Sequence, residues 1–113
     1  MSEAFYKKEL VAEVGSVRHY RIELDGHVVT GMEIPVPGDS RTLVYVAAKG
    51  GYLLCGIMDV SIADMIGNTA ARVSAPDVDA MLTGVCASVS RRAREMGAYD
   101  GMPCREFICL IDR

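Results

Sequence analysis

The stretch from Leu43 to Asp59, LVYVAAKGGYLLCGIMD, constrains the fold more than any other part of the chain. Apolar residues fill both alternating positions on either side of Lys49-Gly50-Gly51, whereas a strand with one face in water alternates apolar and polar residues. β-Branched residues and bounding glycines favour buried strands over a helix. We therefore predict two buried antiparallel strands, with the two glycines supplying the positive φ of a tight turn.

A second hairpin is predicted before this one. Apolar and polar residues alternate toward Leu24, which indicates a half-buried strand, and Asp25-Gly26 is a strong hairpin signal. On the returning strand Val28, Thr30, Met32 and Ile34 share one side, and a loop follows at 35–40 because two prolines remove backbone donors. Residues 1–16 are a poorly defined N-terminal extension, in which 8–14 could be a short helix or a first strand.

The second half of the chain carries helical patterns. A short helix is predicted from Val60 to Gly67 and a short strand at 70–73, and Pro76-Asp77 is typical of a helix start. Apolar residues at helical spacing predict a helix over 85–96 that Gly97 ends, and a last helix over 104–111.

Strands first and helices later predict one α+β domain over residues 1–113, in which antiparallel β-hairpins form a central sheet and short helices pack on one face. A chain of 113 residues holds a single core. It has few helices with which to cover two apolar sheet faces. We therefore expect a second copy of the chain to cover one face, in a dimer or tetramer, because a soluble monomer rarely leaves a large apolar patch bare.

Charge and cysteine spacing exclude several classes of function. The net charge is −3 with mixed signs, which argues against nucleic acid as a partner, and Arg91, Arg92 and Arg94 are interpreted as a solvated helix face. No apolar run approaches the roughly 18 residues that span a bilayer, so we expect no membrane partner and a cytoplasmic location. The four cysteines lack CxxC spacing and there are two histidines, so neither a metal nor a cofactor is predicted.

Several short segments resemble a known family, and the resemblance covers 26–110. They are 51–56 (GYLLCG) followed by Asp59-Val60, 70–73 after Gly67, Gly97 before Gly101-Met102, and Arg105-Glu106. These segments resemble the YunC-like domain, a small bacterial and archaeal family of unknown function. The resemblance implies an N-terminal β-sheet region that mediates assembly, described for the family as tetramerisation, and it supplies no reaction, substrate or cofactor. The chain departs from the family pattern at 74–76 and in its longer N-terminal segment.

Cys55 and Asp59 are the candidate catalytic pair. A thiolate at a strand end beside a carboxylate and a helix start could act as a nucleophile. The alternative, which the sequence favours, is that Cys55 is a core residue, Gly56 allows close packing and Asp59 caps the following helix. Gly56 is also a candidate for ligand binding, as are Gly101 and Arg105, which could hold an anion at the start of the last helix. A tight interhelical turn is the alternative there.

The sequence thus predicts a self-associating binding or interaction module with an unknown small-molecule ligand, if any. The alternative is a thiol-dependent hydrolase or transferase that uses Cys55 with Asp59.

Overall fold

A computed structural model describes residues 5–38, 41–55 and 60–113, which form seven strands and four helices. The strands are β1 Tyr6–Val14, β2 Val17–Leu24, β3 His27–Pro35, β4 Thr42–Ala47, β5 Tyr52–Cys55, β6 Ala70–Val73 and β7 Ser88–Val89. The helices are α1 Val60–Ile66, α2 Val78–Thr83, α3 Arg91–Glu95 and α4 Cys104–Ile111. The predicted α+β class is confirmed.

All the strands form one sheet in which each lies beside the next in sequence. Neighbours pair antiparallel except β5 and β6, which are parallel because α1 connects them as a crossover. The undecided segment at 8–14 belongs to β1, the edge strand, which pairs with β2 through a bulge between Leu10 and Ala12. The predicted hairpin at 43–55 is confirmed by the pairing of β4 with β5.

The inner face of the sheet is the side on which α2 and α4 pack. Alternate strand residues such as Ile22, Val44 and Leu53 are fully buried there. The predicted C-terminal helix is confirmed, because its residues at i, i+3, i+4 and i+7 are all 0 % exposed; they are Cys104, Phe107, Ile108 and Ile111. Burial of this helical stripe against the alternate strand residues builds the core.

The β2–β3 and β4–β5 turns need glycine for different reasons. In the β2–β3 turn Asp25 has φ 49° and Gly26 has φ 85°, the positive values that such turns require. In the β4–β5 turn the prediction of positive φ is wrong, because neither Gly50 nor Gly51 is among the positive-φ residues. There a Cβ on Gly50 would lie 2.7 Å from the carbonyl oxygen of Ile111, and a Cβ on Gly51 would lie 2.5 Å from that of Thr69. Close backbone approach excludes a side chain at both positions.

The helix predicted over 85–96 is wrong for its first half. Val85 instead forms an isolated bridge with Pro103, Ser88–Val89 is β7, and α3 begins only at Arg91. The backbone of Cys86 is held from outside the segment, by N–H donation to the Met102 carbonyl at 2.8 Å. Long-range pairing therefore overrides the helical spacing. Gly97 ends α3 with φ 106°, as predicted.

Candidate functional site

Cys55 lies on the inner face at the end of β5. It is 2 % exposed and belongs to the hydrophobic core cluster, beside Val73 of the parallel strand β6. Gly56 and Asp59 lie outside the described residues, so the catalytic pairing of Cys55 with Asp59 stays a prediction. A thiol enclosed by the core is a poor nucleophile toward a substrate, because the substrate cannot reach it.

The proposed anion site near the last helix is occupied by the protein itself. The Arg105 guanidinium makes two hydrogen bonds to the Asp25 carboxylate, at 2.6 and 2.8 Å, and lies 4.5 Å from the centroid of the Phe5 ring. This fork lowers the pKa of Asp25. Gly101 has φ 92° and donates its N–H to the Cys86 carbonyl at 2.7 Å, which is the behaviour of a turn residue. Arg105 therefore docks α4 onto the β2–β3 turn.

The carboxylate of Asp112 ties the C-terminus to the sheet. It accepts hydrogen bonds from His27 Nδ1 at 2.8 Å and from the Lys49 N–H at 3.1 Å, and its side chain is 5 % exposed. Burial opposes ionisation, but these hydrogen bonds outweigh it and lower the pKa of Asp112. The contact joins α4 to two hairpin turns, so it is structural.

The outer face of the sheet, opposite α2 and α4, is apolar in its centre. Side chains of β3, β4 and β5 there are only half-buried; they are Met32, Ile34, Leu43, Tyr45, Ala47, Tyr52 and Leu54. The polar side chains of β2 lie beside them, including Arg21 and Glu23, which pair with each other at 3.0 Å. A half-buried apolar centre with a polar rim is typical of protein interaction surfaces.

Helix α1 extends this apolar surface. It contacts β6, and its residues Val60, Ile62 and Ala63 line a hollow together with Tyr52 and Leu54 of the outer face. Ile62 is 51 % exposed, Met65 85 % and Ile66 65 %, and their i, i+3, i+4 spacing places them on one side of the helix. We call these three residues and the half-buried outer-face side chains of β3–β5 the apolar patch. The helical spacing of Ile62, Met65 and Ile66 is visible in the sequence, but only the fold shows that these side chains face away from the core.

The described residues contain neither a group of metal ligands nor a helix that could span a membrane. Within residues 5–38, 41–55 and 60–113, no three His, Cys, Asp or Glu side chains are grouped as a metal ion would require. In the same ranges no helix has the length and apolar character needed to cross a bilayer.

The fold resembles one that is known from crystallography. The crystal structure of a protein of unknown function from Thermoplasma acidophilum aligns with a TM-score of 0.75 and 20 % identity, over 98 % of this chain and 99 % of that chain. No curated protein matches the chain. A family described as a domain of unknown function matches residues 54–111. The expectation of an uncharacterised family of small domains is confirmed.

Proposed function

Because the chain belongs to the domain family DUF1805, to which no function is assigned, we propose from its surface alone that it is a self-associating interaction module. Two copies of the chain meet through the apolar patch. The observation that carries this proposal is the exposed stripe of α1 beside a half-buried apolar sheet face. We also propose that it works in the cytoplasm, in keeping with its four unpaired cysteines.

The area of the patch supports a second copy as the occupant. Ile62, Met65 and Ile66 alone expose apolar surface on the order of 300 Å², already as much as the largest patch of many monomers. The half-buried side chains of the sheet add to this apolar area and bring it closer to the area that each partner buries in a standard interface, which is about 800 Å².

The shape and charge of the patch also favour a symmetric pair. A twofold interface uses the same patch on both copies, so it must be self-complementary. The apolar patch meets this condition, since none of its own side chains is charged; Arg72 is a charged neighbour that lines the adjoining hollow. The patch also offers both a projection and a depression: Met65 stands out from α1, while Ala63, Ala70 and Ala71 leave a hollow beside it.

The test is the mass of the protein in solution, measured by light scattering and sedimentation across 1–100 µM, on the order of the concentrations at which modest interfaces saturate. Met65→Lys is the perturbing variant. Met65 is 85 % exposed, and lysine is a good helix former in a last turn, so α1 should persist. Val85→Lys is the matched control, because Val85 is an apolar residue that is 54 % exposed away from the patch.

We expect the wild type and the control to associate, and Met65→Lys to weaken association by about 10-fold or more, since a buried Met contributes about 1.5–3 kcal/mol. A monomeric wild type at about 100 µM would refute self-association. Equal weakening by both variants would refute the apolar patch as the contact.

The alternative, a thiol-dependent hydrolase or transferase that uses Cys55 with Asp59, has less support. The Cys55 residue is 2 % exposed and lies within the core cluster, whereas an enzymatic nucleophile must meet its substrate.

A further inference from the structure

A row of charged side chains crosses the first three strands on the inner face of the sheet. Glu13 of β1 lies opposite Arg18 of β2, and Arg18 lies opposite Glu33 of β3. Opposed residues of antiparallel strands point to the same face, so the three side chains share a side with the core. The first residue of α2, Val78, reaches Glu33, and the charged row also borders an open space.

That space is a cavity of about 370 Å³, within the range of small-molecule sites. The charged row forms one wall. The remaining lining comes from the β1–β2 turn, the end of β3 and the start of β4, and consists of Gly15, Ser16, Pro35 and Thr42. The cavity lies on the opposite side of the sheet from the apolar patch, so its occupation is independent of self-association.

Glu33 is the unusual member of the row, because it is only 8 % exposed. Its carboxylate accepts a hydrogen bond from the Tyr20 hydroxyl at 3.2 Å and one from the Val78 N–H at 2.9 Å. Both of these donors are uncharged, although Val78 opens α2. The nearby Lys8 ammonium attracts Glu33, but it is itself hydrogen-bonded to Asp79 at 2.6 Å. Burying a carboxylate is costly unless a cation or several donors compensate it. Each carboxylate oxygen has two lone pairs, so Glu33 can accept further hydrogen bonds from the cavity side.

The arginine of the row is already engaged. Arg18 Nε donates to Glu13 Oε2 at 2.8 Å, and both side chains are about half exposed at the rim. Glu13, Arg18 and Glu33 together carry a formal charge of −1, and the neighbouring pair of Lys8 and Asp79 adds no net charge, so one positive charge inside the cavity would balance the row. The chemistry that fits is a cation with several N–H donors.

We propose that this cavity binds a small organic molecule bearing a primary ammonium group, with the ammonium donating to the buried carboxylate of Glu33. An ammonium has three donors and a compact charge. The Glu13 carboxylate at the rim contributes a second, weaker attraction for the cation.

The probe is 1,4-diaminobutane, with 1,4-butanediol as the uncharged analogue of the same length. Binding is measured by calorimetry and by shifts of backbone amide NMR signals. We expect the diamine, but not the diol, to bind and to shift the amides of residues 13–18 and 33–34. Glu33→Gln keeps the side-chain shape and an acceptor for the Val78 N–H, and it should weaken binding by about 10-fold or more. Glu13→Gln should weaken binding by about 3-fold, as expected for an exposed charge.

Glu23→Gln is the matched control, since Glu23 is an exposed carboxylate on the outer face of the same hairpin. It should leave the affinity unchanged. Equal weakening by Glu23→Gln and Glu33→Gln would reduce the effect to general surface charge and refute the site. Equal binding of the diol, amide shifts outside the cavity, or no binding at about 10 mM diamine would each refute it as well. If Glu33→Gln does not fold, the NMR map of the wild type and the diol comparison decide the question.

Discussion

Replacing Gly51 by Asn separates the two reasons for a glycine in a hairpin turn. Asn tolerates positive φ better than other non-glycine residues, so a turn that only needs positive φ should accept it. At Gly51, however, any Cβ would lie 2.5 Å from the Thr69 carbonyl oxygen and 3.3 Å from the Ile111 side chain. Gly26→Asn is the control, because Gly26 has φ 85° and no atom within 4 Å of its added Cβ.

The expected loss of stability depends on which backbone atoms the new side chain must displace. The Thr69 carbonyl accepts the Tyr52 N–H at 3.1 Å, so pushing it away weakens the contact between β5 and β6. Overpacking costs about 1–3 kcal/mol and a weakened hydrogen bond about 1 kcal/mol, while the loss of a glycine from the unfolded chain offsets about 0.5–1 kcal/mol. We expect Gly51→Asn to lower the free energy of unfolding by about 2 kcal/mol and Tm by about 8 °C.

Urea unfolding, monitored by circular dichroism and fitted with one m-value for all variants, measures the change in the free energy of unfolding. Gly26→Asn should cost less than about 1 kcal/mol. The close-approach argument is refuted if Gly51→Asn lies within about 0.5 kcal/mol of the wild type, or if both variants lose the same stability.

Two further predictions concern titrating groups. In the native protein, iodoacetamide should alkylate the half-buried Cys109 before Cys55, which is 2 % exposed. Alkylation of Cys109 should be slow, because burial raises the pKa of its thiol. Peptide mass spectrometry measures both rates, and fast labelling of Cys55 at neutral pH would instead support the thiol enzyme. Asp112→Asn should lower the free energy of unfolding at pH 7 by about 1–2 kcal/mol. The pKa of Asp112 is lowered below 3.8 in the folded state, so the stability that its carboxylate contributes is present above pH 3.8 and is lost as the pH falls through the folded pKa. Chemical unfolding should therefore show a smaller difference between the variant and the wild type at pH 3 than at pH 7. A constant difference would contradict an origin in the ionised, hydrogen-bonded carboxylate.

The elements predicted from the sequence are those whose signal is local. The hairpin of β4 and β5 is marked by two short apolar runs with β-branched residues and bounding glycines, and the stripe of α4 repeats at a period of 3.6 residues. Both signals are local, so the sequence suffices to identify these elements. The segment 85–90 carried a helical period as well, but its backbone pairs with β6 and with the residues before α4. Such partners are distant in sequence, and periodicity contains no information about them.

The candidate site was predictable only in part, for the same reason. The sequence predicted that an apolar sheet face would need a partner, but the outward stripe of α1 depends on the crossover that places this helix over the outer face. Arg105 was expected to be available for an anion, yet Asp25, which holds it, is 80 residues away in the chain. A partner at that distance has no local signature.

Strand β3 connects the two proposals. Its Met32 and Ile34 lie on the outer face, while Glu33 between them points to the inner face with the core. A sheet that met water on its outer side would favour the reverse arrangement, with the carboxylate outside and the apolar residues inside. The observed register is reasonable if the outer face is covered by a second copy and the inner carboxylate serves a ligand. A one-residue slip of the strand would turn Met32 and Ile34 inward and Glu33 outward at the same time. A single register therefore maintains both the apolar outer face and the inward carboxylate.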